Sequence, residues 1–423
     1  MSDTITKQRA EAVIRASRSP RWVRYVGIAY ILLALFVTFN LVLVAWGPPA
    51  VGISAWVTSD GRLPGSGGLA FLGWAGVAVL VVGAVWGAIS TIQWALIAAV
   101  AAWIGATAVS MVLHGSTQDV RFWYVAMSAV ALAVAGALIP FHMLKRLMVG
   151  LGWFFGWGSV LVGLSDLAFG WPTVLIEDSP RYGRWLSMLG LQVGDVPSLN
   201  GVTPGRVYVG LTCAVLLVFA VRAAPGRWTW IMSVGLVGAT LWSFSRTGMV
   251  AIAVGLVATL VPVERLRRAF GWTLAALLTV ILLPLILARW LASTPITDGT
   301  TVWRFALWQD YLLNPQVWMP FGIGPKPSSP EYADHAHQQF LEALAVGGWP
   351  GLAGVVTFVV LTAWVAVRVA GFDNRATLGV VFVMGAIFQV DVITFSATYA
   401  VLNNAFILIV ALLVSAAGLV RRT

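Results

Sequence analysis

The chain has 423 residues, of which 59% are hydrophobic and only 10% are charged, and its mean hydropathy is +0.88. This composition lies far from that of soluble domains and excludes an ordinary soluble enzyme. The formal net charge of +10 falls in short segments between apolar runs, which indicates contact with anionic lipid headgroups rather than nucleic-acid binding.

Apolar runs recur along the whole sequence. Most have about 18–22 residues, enough to cross a hydrocarbon core of roughly 30 Å. We therefore predict an all-α polytopic membrane protein with about 12 transmembrane helices. The predicted spans lie at about 26–46, 68–89, 94–113, 121–140, 148–168, 205–221, 228–244, 249–264, 271–291, 350–368, 377–397 and 403–420.

These spans divide the chain into four parts. The polar, basic tail 1–25 precedes a full-length apolar run, so we predict an uncleaved signal anchor rather than a cleaved signal peptide. Spans one to nine fill 26–291 and enclose an extracytoplasmic loop at 169–204. A large extracytoplasmic loop with short helices is predicted at 292–349. The last three spans and a short cytoplasmic C-terminus fill 350–423.

The basic residues set the orientation in the membrane. With a cytoplasmic N-terminus, the inside segments hold 17 of the 26 Lys and Arg residues but only 4 of the 16 Asp and Glu residues. The inside then carries +13 and the rest of the chain −3, which together give the +10 of the whole chain. The inside loops are short and carry no glycine loop that could cradle a phosphate. Chemistry is therefore expected at the outer face.

Arginines converge on that outer face. Arg246 lies in a short outer turn, Arg206 and Arg289 lie at the outer ends of other spans, and Arg304 follows in the large loop. An arginine near membrane depth needs water, headgroups or an anionic partner, so snorkelling at a helix end is one interpretation of Arg246. The other is a phosphate site, because the planar guanidinium forms bidentate pairs with phosphate oxygens.

The segment 301–313 is predicted to form a short amphipathic helix on the outer surface. Arg304, Trp308 and Tyr311 recur at i, i+4 and i+7 and so share one face. The prolines and glycines of Pro320–Pro325 then turn the chain. An interfacial anchor, with Trp308 at headgroup level, is the alternative interpretation.

Two of the four histidines, His335 and His337, lie in the same loop, just before a predicted helix at 338–344 that leads into the next span. Residues at i and i+2 of a helix diverge by about 200°, which argues against a shared metal site, although Asp334 could add a ligand. A neutral histidine can instead accept the proton of a hydroxyl nucleophile. A histidine that only hydrogen-bonds the loop remains an alternative.

These segments together resemble the O-antigen ligase and polymerase superfamily of integral-membrane glycosyltransferases. The motifs match in order and spacing. They are Ser245-Arg246-Thr247-Gly248, then Arg304-x-x-x-Trp308 leading to Phe321-Gly322-Ile323-Gly324, then His337-Gln338-x-Phe340-Leu341 leading to Gly348-Trp349-Pro350-Gly351, with a weaker match at Leu199-Asn200-Gly201-Val202-Thr203.

The resemblance implies a GT-C-like fold in a bacterial cytoplasmic membrane, with a periplasmic loop that covers a lipid-facing cavity. It implies a donor glycan on a polyprenyl (undecaprenyl) diphosphate and a glycan or glycolipid acceptor, in a metal-independent, inverting transfer without a cofactor. Arg246 and Arg304 are expected to act on the diphosphate, and His337 is expected to act as the base. The expected substrate-binding residues are Arg206, Arg289, Ser245, Trp308, His335 and Gln338.

Three alternatives stay open on the sequence. A polymerase of glycan repeats in the same superfamily shares all of these motifs. A peptidoglycan polymerase shares the layout and donor type, but its loop carboxylate signature is not evident. A secondary transporter with twelve helices would use ionisable groups at membrane depth, for which Asp166 and Asp391 are the candidates, but the two halves show no convincing repeat.

Overall fold

A computed structural model of the chain describes residues 20–38, 65–115, 120–169, 175–176, 198–199, 206–262, 299–324, 338–390 and 403–420, with short pieces between 264 and 279. Helices dominate these residues, and one two-stranded antiparallel pair accompanies them. The helices are α1 (Arg21–Thr38), α2 (Gly65–Trp86), α3 (Thr91–Leu113), α4 (Val120–Leu138), α5 (Phe141–Trp153), α6 (Ser159–Phe169), α7 (Arg206–Ala223), α8 (Arg227–Trp242), α9 (Arg246–Ala258), α10 (Gly299–Leu313), α11 (Gln339–Val369), α12 (Ala376–Val390) and α13 (Asn404–Ala417).

The prediction of a mostly helical chain with membrane-spanning segments is confirmed. In the described part, three helices are long and apolar enough to cross a membrane: Thr91–Leu113, Phe141–Ser165 and Gln339–Val369. Shorter apolar helices lie on most of the other predicted runs. The predicted span at 271–291 lies largely outside the described residues, and the count of twelve stays a prediction.

Helix α5 continues into α6 through one turn of π-helix at Phe154–Gly158. The extra residue in this turn changes the direction of the side chains that follow it. Within the turn, Trp157 donates from Nε1 to the carbonyl of Ile231 on α8 at 2.8 Å. This contact ties the fifth predicted span to α8. The strands β1 (Leu175–Ile176) and β2 (Ser198–Leu199) pair with each other, and the side chain of Leu199 is buried against the bundle.

Helix α13 lies at the centre of the bundle. All of its residues, from Asn404 to Ala417, are buried, as expected for a helix that is apolar on every side. The ring of Phe406 packs edge-on against Trp103 of α3, with centroids 6.2 Å apart. Gln93, near the start of α3, donates from Nε2 to the carbonyl of Val414 at 3.1 Å. The core is therefore built around α13.

One end of the bundle, here called the basic end, joins α7 and α9 to the turn between α11 and α12. The Arg222 side chain donates from Nε to Thr259 Oγ1 at 2.8 Å, and Arg375 donates to the carbonyl of Val261 at 2.9 Å. Asn374 donates to the carbonyl of Arg222 at 3.2 Å. The N-termini of α7 and α9 consequently lie at the opposite end, here called the site end.

Candidate functional site

Helices α7 and α9 approach each other very closely at the site end. A Cβ atom on Gly248 would lie 2.7 Å from the Cα atom of Gly210, so both positions need glycine. Ser245 caps α9 by accepting a hydrogen bond from the Gly248 amide at 3.1 Å, and it donates to the carbonyl of Val207 at 3.4 Å. The serine and the glycine of the Ser245–Gly248 motif therefore dock the start of α9 on the start of α7.

This docking brings two predicted site residues to neighbouring helix N-termini. Arg246 is the first residue of α9 and is exposed, while Arg206 is the first residue of α7. A helix N-terminus carries a partial positive charge and free amide groups, and a guanidinium beside it adds a full charge. The arrangement can bind an anion. The Arg206 side chain and all of Arg289 lie outside the described part.

Helix α10 forms where the amphipathic segment was predicted and packs on α11. Trp308 and Tyr311 are 3% and 0% exposed, and they belong to a small cluster with Leu341 and Leu344. Arg304, one turn before Trp308, is half-buried. The indole of Trp308 packs inside this cluster, so α10 is fixed against the protein.

The turn Pro320–Gly324 docks into a kink of α11. The amide of Ile323 donates to the carbonyl of Ala345 at 2.7 Å, and the amide of Trp349 donates back to the carbonyl of Pro320 at 3.1 Å. Trp349 also donates from its indole to the carbonyl of Trp318 at 3.1 Å. Two motifs that the sequence shows as separate therefore form one contact.

Glycine makes this contact possible. Gly348 has φ 63° and ψ −159°, a backbone conformation that is essentially restricted to glycine, and a Cβ there would meet the carbonyl oxygen of Pro320. Gly322, with φ 64°, lies equally close to the carbonyl groups of α11. After the kink, Pro350 stands in the first turn of the continuing helix, where proline costs no hydrogen bond.

Replacement of Gly348 by alanine is expected to lower thermal stability in detergent and to abolish the docked turn. The conformation alone costs about 1–3 kcal/mol for a residue with a side chain, and the contact with Pro320 adds to this. The control is Gly105→Ala, because a Cβ at this helical position meets nothing within 4 Å. Equal melting temperatures for the two variants would contradict the restriction at Gly348.

Gln338 caps the start of α11, directly after His337. Its Oε1 accepts a hydrogen bond from the Leu341 amide at 2.6 Å, and the side chain is fully buried. An amide oxygen at this position satisfies one of the free amide groups at the helix start. The cap fixes where the chain enters the bundle after His337. His335 and His337 themselves lie outside the described residues.

The C-terminal end of α3 also reaches this region, which the sequence did not indicate. The hydroxyl of Ser110 donates to the carbonyl of Phe321 at 2.6 Å. The ring of His114 lies against Gly324, such that a Cβ atom there would be 2.9 Å from Nδ1. The available signal was weak: His114 is one of four histidines and follows the outer end of a predicted span, but no motif surrounds it.

The described contacts thus gather the predicted site residues into two groups at the site end. The first contains Ser245, Arg246 and the helix position of Arg206. The second contains Arg304 and Trp308 on α10 and Gln338 at the start of α11, on which α10 packs.

The fold and these two groups define a mostly helical, multi-pass membrane protein with its polar motifs at one end. The family model described as O-antigen ligase matches residues 230–356 of the chain. The resemblance to the O-antigen ligase superfamily is therefore confirmed over this segment, from α8 to just beyond the kink of α11, and it indicates a glycosyltransferase-type membrane enzyme. No curated protein matches the chain.

Proposed function

We propose that the protein transfers a glycan from a polyprenyl-diphosphate donor to a sugar hydroxyl, at the outer face of a bacterial cytoplasmic membrane. One observation carries this proposal. The segment that matches O-antigen ligase contains Arg246, Arg304 and His337, and helix α9 with Arg246 begins at the site end of the bundle. That end is opposite the basic end.

The proposed chemistry follows from charge. The acceptor oxygen attacks the anomeric carbon opposite the leaving oxygen, the glycosyl–oxygen bond breaks, and the diphosphate leaves with an additional negative charge. Arg246 and Arg304 stabilise this charge more in the transition state than in the ground state. His337 accepts the proton of the attacking hydroxyl. Attack from the opposite face inverts the anomeric configuration. The two arginines take the role that a divalent cation has in many other enzymes that act on phosphates.

Residues around this machinery are proposed to hold the substrates. The helix N-termini of Arg206 and Arg246 offer amide groups to phosphate oxygens, and Ser245 fixes their spacing. Gln338 offers an amide group beside His337. Arg289 and His335 keep their predicted substrate-binding roles within this proposal.

The proposed orientation puts the basic end in the cytoplasm. Arg222 and Arg375 lie there, and Arg227 stacks over the ring of Trp228, with its guanidinium carbon 5.1 Å from the ring centroid. A cluster of cationic side chains and exposed indoles suits a membrane surface with anionic headgroups. Twelve spans with cytoplasmic termini would place the site end, including the loop 292–349, outside.

Cysteine labelling tests this orientation. A cysteine at Ser328 is expected to react with an impermeant thiol reagent in intact cells, whereas one at Phe372 should react only after permeabilisation. Phe372 is 45% exposed in the turn at the basic end and is therefore a better reporter than the buried Asp373 beside it. The native Cys213 is buried and gives little background. Labelling confined to position 372 in intact cells would invert the topology and remove the outer site.

The glycan transfer itself is tested in cells. Deleting the protein is expected to cause the lipid-linked glycan donor to accumulate, and restoring the wild-type chain should reverse this, whereas Arg246→Ala should not. A donor pool that does not change on deletion would contradict the proposal. The chain length of the product separates ligase from polymerase, because a polymerase alone makes longer glycans.

A further inference from the structure

The turn Pro320–Gly324 is held from two sides, by α11 and by α3. On the α11 side its contacts are the backbone hydrogen bonds at the kink. On the α3 side the fully buried Ser110 donates to the carbonyl of Phe321 at 2.6 Å. Loss of this hydroxyl removes the donor of a partly buried carbonyl, so the hydroxyl has an effect beyond packing.

The ring of His114 is fixed beside this hydrogen bond. Nδ1 lies 2.8 Å from the carbonyl oxygen of Ser110 in the preceding turn. A carbonyl can only accept, so Nδ1 carries the hydrogen in this contact. The ring lies close to Gly324, φ 70°, where a Cβ atom would be 2.9 Å from Nδ1 and 3.0 Å from Cγ, so there is no room for a side chain. Ser110 thus contacts the turn at Phe321, and His114 contacts it at Gly324.

The turn connects the two halves of the proposed catalytic machinery. Before it, a short 3-10 helix, Pro315–Trp318, joins it to α10 and Arg304. After it, the chain runs on to His337 and then to the cap at Gln338. A shift of the turn therefore displaces α10 and Arg304 relative to α11 even when the arginine side chain remains intact.

We propose that Ser110 and His114, at the C-terminal end of α3, are positioning residues of the transfer site, which hold the turn between the arginine helix and the histidine segment in its working place. This inference rests on the proposed function. A misplacement of reacting groups by about 1 Å can cost on the order of 100-fold in rate, while binding of the lipid-linked donor changes little. The expected signature is a lower kcat with an unchanged KM for the donor.

The test compares Ser110→Val with Ser110→Thr in the purified full-length protein. The two side chains have the same shape, but only threonine keeps the hydroxyl. Valine is expected to lower kcat by about 5- to 100-fold with the donor KM within about twofold, and threonine should restore most of the rate. The matched control is Ser233→Ala, because the hydroxyl of this buried serine bonds only to its own helix at Thr229, at 2.7 Å.

Hydrogen exchange gives a readout that does not depend on transfer. The amides of Ile323 and Trp349 are expected to exchange faster in Ser110→Val than in Ser110→Thr, because both donate in the contact between the turn and the kink. For the second residue, His114→Asn keeps a donor for the Ser110 carbonyl and should retain more activity than His114→Ala.

The outcomes separate the two hypotheses. A wild-type protein that transfers no glycan refutes the proposed function. A wild type that transfers glycan, together with equal kcat and equal exchange in the valine and threonine variants, refutes the positioning role alone. If the donor KM rises while kcat is kept, the contact with α3 serves binding and the proposal is also overturned.

Discussion

Alanine at His337 is expected to lower the rate of glycan transfer by about 10²–10⁴-fold, the range that a general base contributes, while alanine at His335 keeps most of the activity. The motif position favours His337, and the structure adds a physical reason. Gln338, the next residue along the chain, is buried and caps α11 through the Leu341 amide, so the described chain is anchored from position 338 onward. His335 lies further from this anchor along the chain.

The measurement is transfer by purified variants with and without EDTA. Because the arginines are proposed to stabilise the leaving diphosphate, chelation should leave the wild type unaffected. Loss of activity in EDTA with recovery on adding a divalent cation would overturn the metal-independent mechanism. Glu331, Asp334, His335 and His337 would then become candidate ligands.

Alanine at Arg246 or Arg304 is expected to lower transfer by roughly 10- to 150-fold, since a charged hydrogen bond contributes about 1.5–3 kcal/mol. Lysine should rescue only in part, because an ammonium group lacks the bidentate fork of the guanidinium. The effect of Arg246→Ala should appear without unfolding, because its side chain is exposed while Ser245 maintains the cap of α9.

Arg227→Ala is the matched control for these arginines. Arg227 begins α8 at the basic end and stacks on Trp228, far from the proposed chemistry along the bundle. It is expected to retain transfer near the wild-type rate. If the Arg246 and Arg304 variants also retained full activity, the diphosphate would have to be bound elsewhere.

The helices could be predicted well from the sequence, because an apolar run within a membrane must form a helix to satisfy the hydrogen bonds of its backbone N–H and C=O groups. The sequence placed the boundary between the large loop and the tenth span near 350, where Gly348-Trp349-Pro350 has the composition of a helix end. In the structure the backbone leaves the helical conformation at Gly348, near that boundary, and a second helical segment follows. The predicted helix at 338–344 and the predicted span are thus two parts of α11.

The contacts of the candidate site could be predicted only in part. The Ser245–Gly248 motif signalled a functional turn, but the role of its glycine depends on Gly210, 38 positions earlier. The bond from Ser110 to Phe321 joins residues 211 positions apart, and no local pattern records such a pair. A histidine such as His114, without motif neighbours, gives no signal until the fold brings it to Gly324.

The central position of α13 has a consequence for biosynthesis. A ribosome releases this helix after every other described helix, yet the earlier helices α3, α4 and α7 all pack around it. Until it arrives, those helices can enter the membrane one by one, but the space that they enclose stays unfilled. Buried hydrogen bonds, such as the one from the Ser415 hydroxyl to the carbonyl of Ile139 at 2.7 Å, form only after α13 has been inserted. Assembly of the native bundle is therefore a post-insertion step, and nascent chains that stop before α13 should be recognised as incomplete by membrane quality-control proteases.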